Sequence, residues 1–260
     1  MIEPKKISYS EFKNWKECPY RHKLVYIDKL DYYSGNEYTA FGTAIHKVCE
    51  EIVLDNSVDP QTIFLNSLEE EISTLKGQDI SINNSLLLEM KEQAPQIYNN
   101  LISSIKEYFG KYEVVSVEEP LLEKIEEFDS KGRNFKGFID LVLKTEDGKY
   151  HIIDWKTCSW GWPAAKKTDK ILNYQLTYYK NYFSKKHNVP LSNIETHFGL
   201  LKRTAKSKNV EIFRVTSGDK KIKNSLKILE NAVINIEKNM FIKNRLSCKY
   251  CKFHKTENCK

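Results

Sequence analysis

Between residues 135 and 158 the sequence sets charged side chains inside two runs that otherwise have every reason to be buried. Residues 135–143 and 150–155 are short, rich in β-branched and aromatic side chains, and separated by Glu146-Asp147-Gly148, a hairpin signal. Asp140 stands in the middle of the first run. Side chains alternate along a strand, so in Ile152-Ile153-Asp154-Trp155-Lys156-Thr157 the Asp154 and Lys156 side chains share one face and Trp155 points to the other. A hairpin centred on Asp147 sets Asp140 opposite Asp154. A tighter loop shifts that register by one residue and still leaves the two carboxylates close.

Two neighbouring carboxylates repel and raise each other's pKa unless a cation lies between them. A hard divalent ion such as Mg²⁺ takes oxygen ligands and suits this pair. Lys156 can hold or help deprotonate an attacking water, or stabilise charge that develops on phosphorus. The same residues could make an ordinary surface salt bridge. The apolar flanks weigh against that, because they place the charges where burial is costly without a purpose.

The remainder of the chain reads as one α/β domain of 260 residues. Helical spacing is expected over residues 8–27, stopping near Cys18-Pro19, and over 39–54, 60–76 and 84–109. Strands are expected over 112–117, 121–128, 135–143 and 150–155, a helix over 167–187, strands over 194–202 and 209–215, and a final helix over 218–241. The formal charge of +6 hints at a polyanionic partner. Residues 1–6 show no export signal and no apolar run spans a bilayer, so a cytoplasmic protein without a membrane partner is expected.

Six cysteines without an export signal suggest metal ligands or buried thiols rather than disulfides. Cys248, Cys251 and Cys259 crowd the C-terminus, and a fourth soft ligand is open to His254, which would complete a zinc site, or to Cys18. Cys49 and Cys158 fit no ligand spacing and read as small buried hydrophobes. Trp160-Gly-Trp162-Pro, followed by Lys166, Lys167 and Lys170, would either stack on bases and meet phosphates or cap the core. Lys202-Arg203 is another possible phosphate contact.

Gly137-Phe-Ile-Asp140 and Ile153-Asp154-Trp155-Lys156-Thr157, preceded by Gly42-Thr-Ala-Ile-His46 and followed by Gln175-Leu-Thr-Tyr-Tyr179, resemble the PD-(D/E)xK nuclease superfamily, in particular its RecB-like branch. The resemblance implies a restriction-endonuclease-like core over about 110–215. Its central mixed sheet would be flanked by helices, with a helical N-terminal insertion over about 39–109. It implies that His46, Asp140 and Asp154, with the Trp155 carbonyl, hold Mg²⁺ or Mn²⁺, that Lys156 serves the water, and that Gln175 and Tyr179 shape the site and contact DNA. Glu118 and Glu119 compete for an accessory acidic position. AddB-type helicase–nucleases and stand-alone CRISPR-associated nucleases are similar in carrying one cysteine before a proline and three at the C-terminus. By that likeness Cys18, together with Cys248, Cys251 and Cys259 in a C-terminal helix and cysteine segment of about 218–260, holds a 4Fe–4S cluster, with Zn²⁺ as the alternative. The expected activity is hydrolysis of DNA ends or single strands by an exonuclease in recombination, repair or CRISPR adaptation. The chain lacks a Gly-x-x-x-x-Gly-Lys-Ser/Thr motif, so unwinding would come from a helicase or other partner protein. A non-catalytic DNA-binding or assembly module and a zinc-binding interaction protein are the alternatives.

Overall fold

A computed structural model describes residues 5–30 and 35–260; residues 1–4 of the stretch read for an export signal lie outside that range. Strand β1 (Lys6–Ser8) leads into α1 (Tyr9–Glu17), whose first turn is capped by the Ser8 hydroxyl accepting from Glu11 N. The helix stops at Cys18. Pro19 starts α2 (Pro19–His22), which runs into a π turn over Lys23–Ile27. Four helices follow: α3 (Glu37–Leu54), α4 (Pro60–Gly77), α5 (Asn84–Tyr98) and α6 (Leu101–Phe109). The first three begin at side-chain caps, Asn36, Asp59 and Asn83. The single helix expected over 84–109 is broken at Asn99-Asn100. There the Asn100 side chain bonds the Gln96 carbonyl and competes with the helical ladder.

Strand β2 (Tyr112–Lys124) is continuous where two strands were expected. It keeps Pro120 because it is a sheet edge, pairing among the described strands with β3 (Asn134–Thr145) alone. Next come β4 (Tyr150–Cys158), a short α7 (Ala164–Lys167), α8 (Lys170–His187), β5 (Ile194–Lys202), β6 (Val210–Arg214) and α9 (Asp219–Glu237). Helix α8 starts later than expected because Asp169 caps it through Leu172 N.

The sheet is mixed: β3 is antiparallel to β2 and β4, β4 is parallel to β5, and β5 is antiparallel to β6. Helices α3–α6 bury one face, against Leu141, Leu143, Ile153 and Trp155. Helices α1, α8 and α9 bury the other, against Phe135, Ile139, Val142 and Ile152. This is the α/β layering expected, with a helical insertion between β1 and β2. No helix among the described residues is long and apolar enough to cross a membrane.

One detail of the sheet positions the site. Along the edge away from β2, β3 pairs with β1 at Asn134–Lys136 and with β4 at Leu141–Lys144. Between these two ladders the strands part, and a fork opens beside Gly137 to Asp140.

Candidate active site at the fork

The β3–β4 turn is centred on Asp147, with Gly148 at φ +79°, and the ladder runs from Lys144↔Tyr150 to Leu141↔Ile153. The register is the one that points Asp140 toward Asp154. The ladder ends one step short of that pair. Instead Trp155 N–H donates to Asp140 Oδ2 at 2.6 Å, so the carboxylate occupies the place where the next strand bond would form.

Four side chains converge there. His46 Nδ1 lies 3.6 Å from Asp140 Oδ2, and its ring also bonds the Trp155 backbone carbonyl. Gly42, one turn earlier on α3, lets helix and strand approach: a Cβ there would lie 3.3 Å from Thr157 Oγ1. Lys156 Nζ lies 2.6 Å from Asp154 Oδ2, although that oxygen has no aligned hydrogen-bond donor. Asp154 is only 1% exposed.

Burial, and then the neighbouring Asp154 charge, push the Asp140 carboxyl well above the ordinary carboxylate range. Burial also raises Asp154, against the opposing pull of Lys156. Burial works against the Lys156 ammonium, but the Asp154 and Asp140 charges outweigh it and its pKa is raised. His46 is lowered to about 4 by burial and then by Lys156, so the imidazole is neutral and free to act as a ligand. Two crowded carboxylates, a neutral imidazole and a backbone carbonyl form an oxygen-rich donor set, and a divalent cation would relieve the carboxylate repulsion. The donor types therefore fit such an ion, and because the His46, Asp140 and Asp154 ligand atoms are not all within 4.8 Å of one another, binding would draw them together.

The register also separates Glu118 from Glu119. Val117↔Leu141 and Glu119↔Ile139 bracket Glu118 opposite Asp140, and Glu118 (φ +48°) lines an open cavity with His46, Lys47 and Glu50. Burial and then Glu50 raise its pKa. Glu119 turns away to α8, where it meets His187 Nε2 at 2.7 Å and Lys186 Nζ at 2.8 Å. Glu50 was not singled out from the sequence. Its signal is the helical i,i+4 spacing from His46.

Gln175 and Tyr179, one turn apart on α8, are buried, with Gln175 Nε2 donating to the Tyr179 hydroxyl at 3.1 Å. The Tyr179 ring presses on Gly137, where a Cβ would come within 2.8 Å of it. Gln175 and Lys156 also line a cavity of about 750 Å³ with Tyr9, Lys13, Arg21 and Lys166. The two tryptophans after β4 separate: Trp162 packs against Phe198 and Phe213, whereas Trp160 is 77% exposed. Lys202 and Arg203 are buried, on Glu211 and Gln93 respectively, which accounts for them without a phosphate.

The four cysteines from the two chain ends line one cavity of about 360 Å³, together with Arg21, Lys243 and His254. Asn244 ties the ends, donating from its backbone to Cys18 Sγ at 3.4 Å and from its side chain to the Glu17 carbonyl at 2.8 Å. Burial raises the Cys259 thiol, Lys243 opposes this, and the nearby Cys251, Cys248 and Cys18 sulfurs add to the rise; four soft donors on one cavity fit a metal centre. Cys49 is buried in the helical layer and Cys158 is half-buried.

The family model of the PD-(D/E)XK nuclease superfamily matches residues 6–256. The chain belongs to that superfamily and is a nuclease of a class that uses divalent metals. Among solved structures it is similar to one of a putative exonuclease from Eubacterium rectale. The TM-score is 0.60 and the identity 12%, over 95% of this chain and 86% of the other; the likeness is one of fold. The crystal structure of SSO0001 matches with a TM-score of 0.46 and 15% identity, over 97% of this chain and 85% of the other. A search of curated proteins finds no match to this sequence.

Proposed function

We propose that this nuclease is a cytoplasmic DNA exonuclease of the RecB-like branch, acting as one domain on DNA ends or single strands with Mg²⁺ or Mn²⁺. The observation that carries the reading is the convergence of His46, Asp140, Asp154 and Lys156 at the fork. His46, Asp140, Asp154 and the Trp155 carbonyl would hold the ion, which when bound supplies Lewis acidity and a water of lowered pKa. Lys156, kept as an ammonium by two carboxylates, orients the attacking water and stabilises charge developing on the phosphate. Gln175 and Tyr179 position the strand in the cavity lined by Lys13, Arg21 and Lys166, whose cations suit a phosphate backbone. The exonuclease reading draws support from the name of the Eubacterium rectale protein. Recombination, repair and CRISPR adaptation are the fitting settings, with a helicase or adaptation protein as partner.

Cys18, Cys248, Cys251 and Cys259 are assigned to a 4Fe–4S cluster. A tetrahedral zinc with bonds of about 2.3 Å needs sulfurs about 3.8 Å apart. Among the described residues no three of these thiols lie within 4.8 Å of one another, a spacing that favours the larger group.

The test is to purify the protein without oxygen, record its visible spectrum and iron content, and assay end-labelled single- and double-stranded DNA with each metal. Cleavage from the ends, lost in Lys156→Ala, is expected. Equal inertness of wild type and variant with every metal and substrate overturns the reading, and a colourless, zinc-containing protein overturns the cluster.

A further inference from the structure

Near the β3–β4 turn, three more ligand atoms converge that the nuclease site does not use. His151, Glu195 and His197 each offer one atom, all within 4.8 Å of one another, and among the described residues they are the only such group. His151 and Glu195 are partners across the parallel β4–β5 ladder, and His197 lies two residues along β5. His151 Nδ1 is 3.1 Å from His197 Nε2 and 3.9 Å from Glu195 Oε2.

The surrounding hydrogen bonds decide the His151 tautomer. Thr145 Oγ1 lies 2.5 Å from Asp147 Oδ1 and 2.9 Å from His151 Nε2. The hydroxyl has a single hydrogen, and an ionised carboxylate can only accept, so that hydrogen goes to Asp147. The hydrogen of the second contact must then sit on His151 Nε2, leaving a lone pair on Nδ1 aimed at His197. An outer hydrogen bond of this kind is how metal-binding histidines are oriented. Glu195 divides its oxygens in a compatible way. Oε1 takes Arg214 at 3.0 Å and Lys149 at 3.5 Å, and Oε2 faces the histidines. The 3.1 Å between the ring nitrogens is close to the roughly 3.3 Å edge of a tetrahedron with metal–nitrogen bonds of about 2.0–2.1 Å. His197 is 1% exposed and its Nδ1 has no hydrogen-bond partner, so the ring is held by packing against Phe109 and Tyr108 and by Nε2–H donating to His151 Nδ1, the hydrogen that a bound ion would replace. The cluster opens to solvent through a cleft of about 560 Å³ lined by Lys111, Thr145, Asp147 and Lys149, which gives an ion and a bound water a way in.

We propose that His151 Nδ1, His197 Nε2 and Glu195 Oε2 form a second metal site, separate from the fork, that takes a borderline-soft divalent ion of the zinc type with water as fourth ligand. Two imidazoles and one carboxylate select such an ion over Mg²⁺, whereas the carboxylate-rich fork selects the reverse. The site clamps the start of β5 to the start of β4 and the hairpin turn, so its effect is on stability rather than on the chemical step.

The test compares the full-length protein with Glu195→Gln and Thr145→Val, both at half-buried positions, by zinc content after dialysis and by calorimetric zinc titration. The cysteine cavity is common to all three, so differences isolate this cluster. One fewer zinc per chain in Glu195→Gln is expected, with affinity about 10–100-fold weaker in Thr145→Val, where the ligands stay and the outer hydrogen bond to His151 is lost along with the hydroxyl's bond to Asp147. Unchanged melting of the zinc-free variants shows that they fold. Equal zinc content and affinity in all three proteins overturns the proposal. So does a histidine nitrogen NMR spectrum in which Nε2–H of His197 persists at saturating zinc.

Discussion

The fork and the cysteine cavity are assembled in opposite ways. The fork draws Asp140, Asp154 and Lys156 from a single hairpin and adds His46 from a helix that packs on it. The cavity joins Cys18 to three cysteines more than two hundred residues later, through contacts as slight as Asn244 on Cys18 and Glu17. In the fork the sheet does the positioning, and the charges are a cost the sheet can bear. In the cavity the bound group would do the positioning, and the chain ends depend on it.

Breaking the fork should therefore cost activity and spare the fold. Lys156→Ala is expected to lower the rate of phosphodiester cleavage by about 10²–10³-fold, as for loss of one charge-stabilising donor, with little change in melting. Asp140→Asn should also abolish metal-dependent activity, yet raise the melting temperature of the metal-free protein by about 2–4 °C, because a buried charge beside Asp154 is removed. The sign follows from the raised Asp140 pKa. The folded state binds that proton more readily than the unfolded chain, so relative to Asp140→Asn the metal-free wild type gains stability as pH falls through the raised value. The gain levels off below the unperturbed 3.8. Thermal melts of both proteins across pH check this.

Breaking the cavity should do the reverse. Cys18→Ala and Cys251→Ala are expected to destabilise the protein by similar amounts, about 2–4 kcal/mol in the range of a lost structural staple, while the folded fraction keeps its turnover. A Cys18→Ala protein with full metal content and unchanged melting would erase the contrast. A smaller loss than at the cysteines should come from Gly137→Ala, whose new methyl displaces the Tyr179 ring. A stability loss of about 1–3 kcal/mol is expected, with a rise in KM for DNA if Tyr179 positions the strand.

The same contrast explains what could be read from the sequence. Alternation along residues 152–157 gives the shared face, and the turn signal at Glu146-Asp147-Gly148 narrows the register to two neighbouring pairings, because strand geometry has a period of two and only the length of the turn fixes its phase. The opening beside Asp140 could not be read. It depends on β1, three residues with no pattern of their own, docking in parallel on β3. Glu118 and Glu119 differ only in which way a backbone with positive φ turns them. His151 and His197 lie 46 residues apart and belong to no motif; only the parallel pairing of β4 with β5 brings them together. Gly199 likewise looks unremarkable in sequence, yet the Trp155 ring lies on it so closely that a Cβ would come within 2.1 Å.

That last contact gives Trp155 an unusual position. Its amide holds Asp140, its carbonyl holds His46, and its indole is sunk into the layer formed by α3 to α6. The peptide unit that aligns the acidic centre is thus anchored from behind by a ring that never meets substrate. A probe of indole emission at Trp155 would act as a strain gauge for the centre, reporting from the dry side of the sheet on what happens at the wet one.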